Sequence, residues 1–109
     1  MVTTREQALE IAARIRAGLE KIYGHRLRGV YLYGSAARDR LHEDSDIDIA
    51  VVLDEVTDSF AEHMRISELR SDISLEYDTL VSILLIGEVD FETRRFAVCG
   101  AVKDEGIPA

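Results

Sequence analysis

The sequence predicts an α/β domain in which one β-sheet is covered by helices. Three observations carry that prediction. Apolar residues recur at three-to-four spacing through the first two dozen positions, as on one face of a helix. Two later stretches, 27–33 and 46–53, are rich in branched and aromatic residues, as strands are. Helical and extended patterns then alternate to the end of the chain, in the order helix, strand, helix, strand, helix, strand, helix.

The first helix opens on Thr3 as N-cap with Glu6 three residues on, the spacing of a capping box. Ala8, Ala12, Ile15, Leu19 and Ile22 make its apolar stripe, and Gly24 ends it. Arg14, Arg16, Glu20 and Lys21 lie on the other side, so this helix covers the sheet. Val30, Tyr31, Leu32 and Tyr33 mark the first strand, which stops at Gly34-Ser35. A short helical turn over 36–40 and a polar loop over 42–45 lead to the second strand. There Ile47, Ile49, Val51 and Leu53 form one face, with Asp46, Asp48, Ala50 and Val52 on the other. After a polar connection over 54–59, Asp58 or Ser59 caps a helix that carries Phe60, Met64, Ile66 and Leu69 to about position 70. The third strand is expected over 78–86, apolar almost throughout as a strand buried on both faces would be, and Gly87 ends it. A last helix starts near Val89 or Asp90 and carries Phe91, Phe96, Val98 and Val102.

Residues 1–109 are expected to form one domain, since this length supports a single modest core. The 47% hydrophobic and 31% charged composition is that of a globular chain in water. No apolar run is long enough to span a membrane, and the N-terminus lacks a signal-peptide pattern. Cys99 is the single cysteine, which fits a reducing, cytoplasmic setting and reads as a small core residue. A net charge of −8 offers no basic field to displace counterions, so direct nucleic-acid binding is not expected. The same charge agrees with a metal-dependent site or a basic partner protein, and also with solubility alone.

The chemistry concentrates between Gly34 and Asp48. Side chains alternate along a strand, so Asp46 and Asp48 project side by side. Two carboxylates that close repel one another unless a cation lies between them. A Gly-Ser turn is small enough to approach phosphates. An Asp-x-Asp alone often caps a helix, and a Gly-Ser alone marks a turn. Eleven positions apart, with strands on both sides, they point to metal-assisted transfer on a nucleotide.

On these residues the chain resembles the polymerase-β-type nucleotidyltransferase superfamily. Gly34, Ser35, Ala37, Arg38, Ser45, Asp46, Asp48 and Ile49 match its signature, while Asp39 stands where glycine is usual. The resemblance implies a nucleotidyltransferase core, a small mixed β-sheet packed with helices. It implies that Gly34 lets backbone amides close on a triphosphate, and that Ser35 donates to phosphate oxygens. Asp46 and Asp48 would hold Mg²⁺, two ions in the two-metal arrangement, with ATP as substrate. Arg38 either reaches phosphate or pairs with a nearby carboxylate, and Ser45 braces the loop entering the metal strand. His42 reads as a solvated loop residue. A third carboxylate in this superfamily comes from the next strand. Asp78, in Asp78-Thr79-Leu80-Val81, is the candidate, with Glu76 of the same parity and Asp72 on the preceding helix.

Element order, the Leu75-Glu76-Tyr77-Asp78 entry and the ending Glu105-Gly106-Ile107 look like the minimal nucleotidyltransferases. Many of those are similar to antitoxins paired with a HEPN-domain toxin, an RNase. The resemblance implies AMP transfer from ATP to a tyrosine of such a toxin, in a hetero-oligomer of the type VII kind. Two other readings stand beside it: an antitoxin that neutralises by binding alone, and transfer to a small molecule such as an aminoglycoside.

Overall fold

The computed structural model describes residues 2–38 and 46–109. Helix α1 (Arg5–Tyr23) leads through a short 3₁₀ turn into β1 (Leu27–Tyr33), and β2 (Ile47–Leu53) follows. Next come α2 (Ser59–Tyr77), β3 (Val81–Gly87), α3 (Glu88–Glu92), α4 (Ala97–Glu105) and a two-residue β4 (Ile107–Pro108). The strands form one sheet in the order β3-β2-β1-β4. β1 runs antiparallel to β2 and β4, whereas β2 and β3 are parallel, with α2 as their crossover.

The period-two pattern of β2 divides the core. Ile47, Ile49, Val51 and Leu53 are fully buried under α1 and α2, packed with Ile11, Ile15 and Leu19 of α1 and Ile66 of α2. Ala50 and Val52 face the other way, into a smaller cluster with Phe91 of α3 and Cys99 and Val102 of α4. Tyr31 stacks on Phe91 there, ring centroids 5.3 Å apart. Cys99 is buried, in keeping with a core role. The contact of α1 with α2 is close at Gly18, where a Cβ would meet Leu69 Cδ1 at 2.5 Å.

Several local expectations are corrected. The N-cap of α1 is Thr4, one residue later than Thr3, and its hydroxyl accepts from the Gln7 N–H at 3.2 Å. Gln7, and not Glu6, reaches back to accept from the Thr3 N–H. The stripe ends on buried Tyr23, while Ile22 is exposed. α2 begins on Asp58 as expected but runs to Tyr77, well past position 70. Phe60 and Met64 lie on its solvent side, so its buried face is held by Ile66, Ile73 and an acidic residue, Glu62. The last helix is two: α3 stops at Thr93, Arg94 takes φ 54°, and α4 restarts at Ala97.

Three groups surround the buried Glu62 side chain of α2. Arg26 Nη2 donates to Oε2 at 2.7 Å, Arg65 Nε lies 3.2 Å from Oε1, and the Tyr23 hydroxyl donates to Oε1 at 3.2 Å. Burial and then the Glu62 charge push the Tyr23 hydroxyl up to about 12. Arg26 also donates to Asp54 Oδ1 at 3.0 Å, tying the end of β2 to the start of β1. Among the described residues no helix is long and apolar enough to cross a membrane.

Candidate functional site

The site begins where β1 ends. Gly34 takes φ +69° and turns the chain, and the Arg38 N–H donates to the Gly34 carbonyl at 3.2 Å, closing one helical turn. Two contacts hold that turn. Ala36 is fully buried in the larger core cluster. Arg5, the first residue of α1, donates from Nη2 to the Ala37 carbonyl at 2.8 Å and from Nε to the Ala36 carbonyl at 3.4 Å. Carbonyls at the end of a single turn have no intrahelical partner, and the guanidinium supplies one. Ser35 remains partly exposed between these anchors.

Sheet register brings three side chains into one row. Tyr33 of β1 is opposite Asp48 of β2, and Asp48 is beside Ser82 of β3. Paired residues share a face, so all three lie on the side covered farther along by α3 and α4. Asp46 immediately precedes β2, has the same parity as Asp48, and is exposed. The Asp48 carboxylate presses on the turn: a Cβ on Gly34 would stand 2.6 Å from Asp48 Oδ2. Glycine is required there twice, for its φ and for the space.

Electrostatics agree with this crowding. Burial, and then the Asp46 charge, lift the Asp48 carboxyl above the ordinary carboxylate range. Burial and then the Asp48 charge raise the Tyr33 hydroxyl. A site that resists its own negative charge in this way favours a cation, and hard carboxylate oxygens suit Mg²⁺.

The other expected residues fall differently. Arg38 is exposed and pairs with Glu105 of α4 at 3.0 Å, which corresponds to the carboxylate-pairing alternative with an unforeseen partner. Ser45, His42 and Asp39 lie outside the described residues. Asp78 does not begin the third strand. It is the C-cap of α2 in left-handed conformation, φ 49° and ψ 50°, its N–H directed to the carbonyls of Leu75 and Ser74. Aspartate tolerates that backbone, and the strand starts three residues later. Glu76 pairs with Arg14, and Asp72 is on α2 as expected. Among the described residues no three carboxylate, imidazole or thiolate side chains converge on a point. The strand position beside Asp48 belongs to Ser82.

Sequence reasoning missed Arg5, Tyr33 and Ser82. Arg5 gives no local signal, because its targets lie 31 and 32 residues away. Ser82 could have been found as the single polar residue within an apolar strand.

Two neighbouring carboxylates, with Asp48 lying against the Gly-Ser turn, fit a site of the nucleotidyl-transfer class. Residues 19–96 match the family described as polymerase beta, nucleotidyltransferase. A Methanocaldococcus jannaschii protein named as a protein adenylyltransferase is 30% identical over 79 residues, 72% of this chain and 79% of that one. The chain belongs to the polymerase beta nucleotidyltransferase family. The fold also matches solved structures. One is a nucleotidyltransferase from Sulfolobus solfataricus, with TM-score 0.68, 20% identity, 95% of this chain and 80% of that one. Another is a minimal nucleotidyltransferase, with TM-score 0.60, 24% identity, 94% of this chain and 95% of that one. A chain in the complex of tri-AMPylated Shewanella oneidensis HEPN toxin with MNT antitoxin matches with TM-score 0.58 and 21% identity. That match covers 93% of this chain and 70% of the other.

Proposed function

We propose that this nucleotidyltransferase transfers AMP from ATP to a hydroxyl of a HEPN-type toxin, with tyrosine as acceptor, and so serves as the antitoxin of a type VII-like pair in the cytoplasm. The observation that carries this reading is the Asp48 carboxylate lying against the Gly34-Ser35 turn. Metal-binding and phosphate-binding elements then meet at one place. The relative named as a protein adenylyltransferase and the complex with an AMPylated toxin support the choice of a protein acceptor.

In this reading the amides of the 34–38 turn and the Ser35 hydroxyl hold the terminal phosphates of ATP. Asp46 and Asp48 would hold Mg²⁺, which when bound would supply neutralisation of phosphate charge and favour ionisation of the incoming hydroxyl. Arg5 keeps the turn in place by its two carbonyl contacts. The acceptor oxygen bonds to the α-phosphorus as the bond to pyrophosphate breaks, and the acceptor's proton leaves with solvent. Asp78 as third ligand would require a change in the cap of α2.

A second reading is favoured by one observation. The position beside Asp48 on β3 is Ser82, so the row carries no further carboxylate. An antitoxin that acts by occlusion alone would need none. Incubation of the chain with labelled ATP, Mg²⁺ and a genomically adjacent HEPN protein separates the two. Label on the partner, lost in Asp46→Ala and Asp48→Ala while both variants stay folded, is the expected result. No label, with the Asp46→Ala variant still binding and silencing the partner, refutes transfer and leaves occlusion.

A further inference from the structure

We propose that the outer edge of β3 is a homodimer interface, at which two copies pair β3 with β3 antiparallel about a twofold axis at Leu84. β3 is an edge strand of the four-stranded sheet. The Leu80 carbonyl accepts from the Ile47 N–H. Backbone groups alternate direction along a strand, so even-numbered residues of β3 bond to β2 and odd-numbered ones face outward. The Val81 N–H faces outward and is satisfied by Ser74 Oγ at 3.2 Å. Ile83, Leu85 and Gly87 therefore offer their backbone groups to an incoming strand.

The described residues of this strand carry nothing that discourages pairing. Val81-Ser82-Ile83-Leu84-Leu85-Ile86-Gly87 contains no charge and no proline, the devices that normally protect an edge. An exposed apolar side chain, Phe96 before α4, lies beside it. A groove of about 370 Å³ runs along the same strand, lined by Leu84, Ile86, Phe96 and Val98 among others.

A second copy fits this edge because its two ends are oppositely charged. His63 and Arg70 flank the Val81 end, and Arg70 has no ion pair among the described residues. Asp54, Glu55 and Asp90 flank the Gly87 end. Asp54 and Asp90 are already paired, with Arg26 and Arg95, which leaves Glu55 as the available carboxylate. Antiparallel pairing centred on Leu84 sets Ile83 opposite Leu85 and Val81 opposite Gly87. Each Arg70 then approaches the other copy's Glu55, at both ends. The outward-facing odd residues bond to one another, and each face of the sheet continues into its mate. The same rotation places the two α2 helices on one face of the joined sheet. An unrelated strand would satisfy the backbone but would have no cause to carry this charge order.

Sedimentation equilibrium of the chain alone should give twice the monomer mass. In a Cys99→Ala background, Leu84→Cys should oxidise to a cross-linked dimer, since directly opposed non-bonded residues lie about 4.5 Å apart, within disulfide reach. Ser82→Cys should not, because its counterpart lies several residues along the strand. Arg70→Glu should weaken the dimer about 5-fold or more, and combining it with Glu55→Arg should restore it. Leu85→Pro removes an outward N–H and should give a monomer. If that variant does not fold, the charge-exchanged pair still decides. A wild-type monomer at sub-millimolar concentration overturns the proposal, whether or not the edge accepts another protein's strand. Equal cross-linking of the two cysteine variants overturns it as well.

Discussion

Replacing Gly34 by alanine tests the centre of the site. At φ +69° any other residue pays about 1–2 kcal/mol for left-handed backbone. The new Cβ would also stand 2.6 Å from Asp48 Oδ2. A terminal carboxylate oxygen can swing away, at the cost of leaving its rotamer, about 0.5–1.5 kcal/mol. Together these destabilise Gly34→Ala by about 1.5–3.5 kcal/mol, a fall in Tm of roughly 6–25 °C for a domain of this size. In an Asp48→Ala background the nearest remaining atom is the Asp48 Cβ position at 3.5 Å, ordinary contact. The second contribution should then vanish, giving a coupling of about 0.5–1.5 kcal/mol in a double-mutant cycle read by urea melts. On the proposed function, AMP transfer should fall about 10²-fold in Gly34→Ala, because the carboxylate proposed to hold the metal is displaced. An equal cost in both backgrounds would refute the claimed contact. So would a Gly34→Ala variant as stable as wild type.

Three further outcomes follow from contacts in the structure. The raised Asp48 pKa means the metal-free folded state holds its proton more tightly than the unfolded state. That contribution is full below the ordinary carboxylate pKa and is lost as pH rises through the raised value. Asp48→Asn should therefore melt above wild type at neutral pH, with the gap closing in acid; a gap independent of pH would contradict the assignment. Arg26→Ala takes the 2.7 Å partner from buried Glu62 while Arg65 and Tyr23 remain. It should cost about 1–3 kcal/mol in urea, and adding Glu62→Gln should recover part of it. Arg5→Ala releases the Ala36 and Ala37 carbonyls. It should lower stability by about 1–2 kcal/mol and transfer by about 10-fold, and full transfer by this variant would remove Arg5 from the site.

Residues whose surroundings are local were legible without a structure. The alternation along Ile47–Leu53 assigned both faces of β2, because side chains alternate sides with a period of two. The helix over α2 was legible in its start, through Asp58, and misread in its end. Its apolar side chains are few on the buried face and include exposed Phe60 and Met64, so periodicity gave no reason to extend it. The continuous apolar run after Thr79 then drew Asp78 into the strand. The residue instead caps the helix, because the chain must reverse there before β3 can lie parallel to β2.

The sequence by itself determined the α/β class and the pairing of a Gly-Ser turn with Asp46 and Asp48. Both rest on spacings of a few residues, which backbone geometry converts directly into position. Tertiary structure decided what surrounds those groups. Sheet register put Ser82, and not Asp78, beside Asp48, and folding brought Arg5 onto the turn from the start of the chain. These are relations between distant segments, set by how strands pair and helices pack, and no local pattern encodes them.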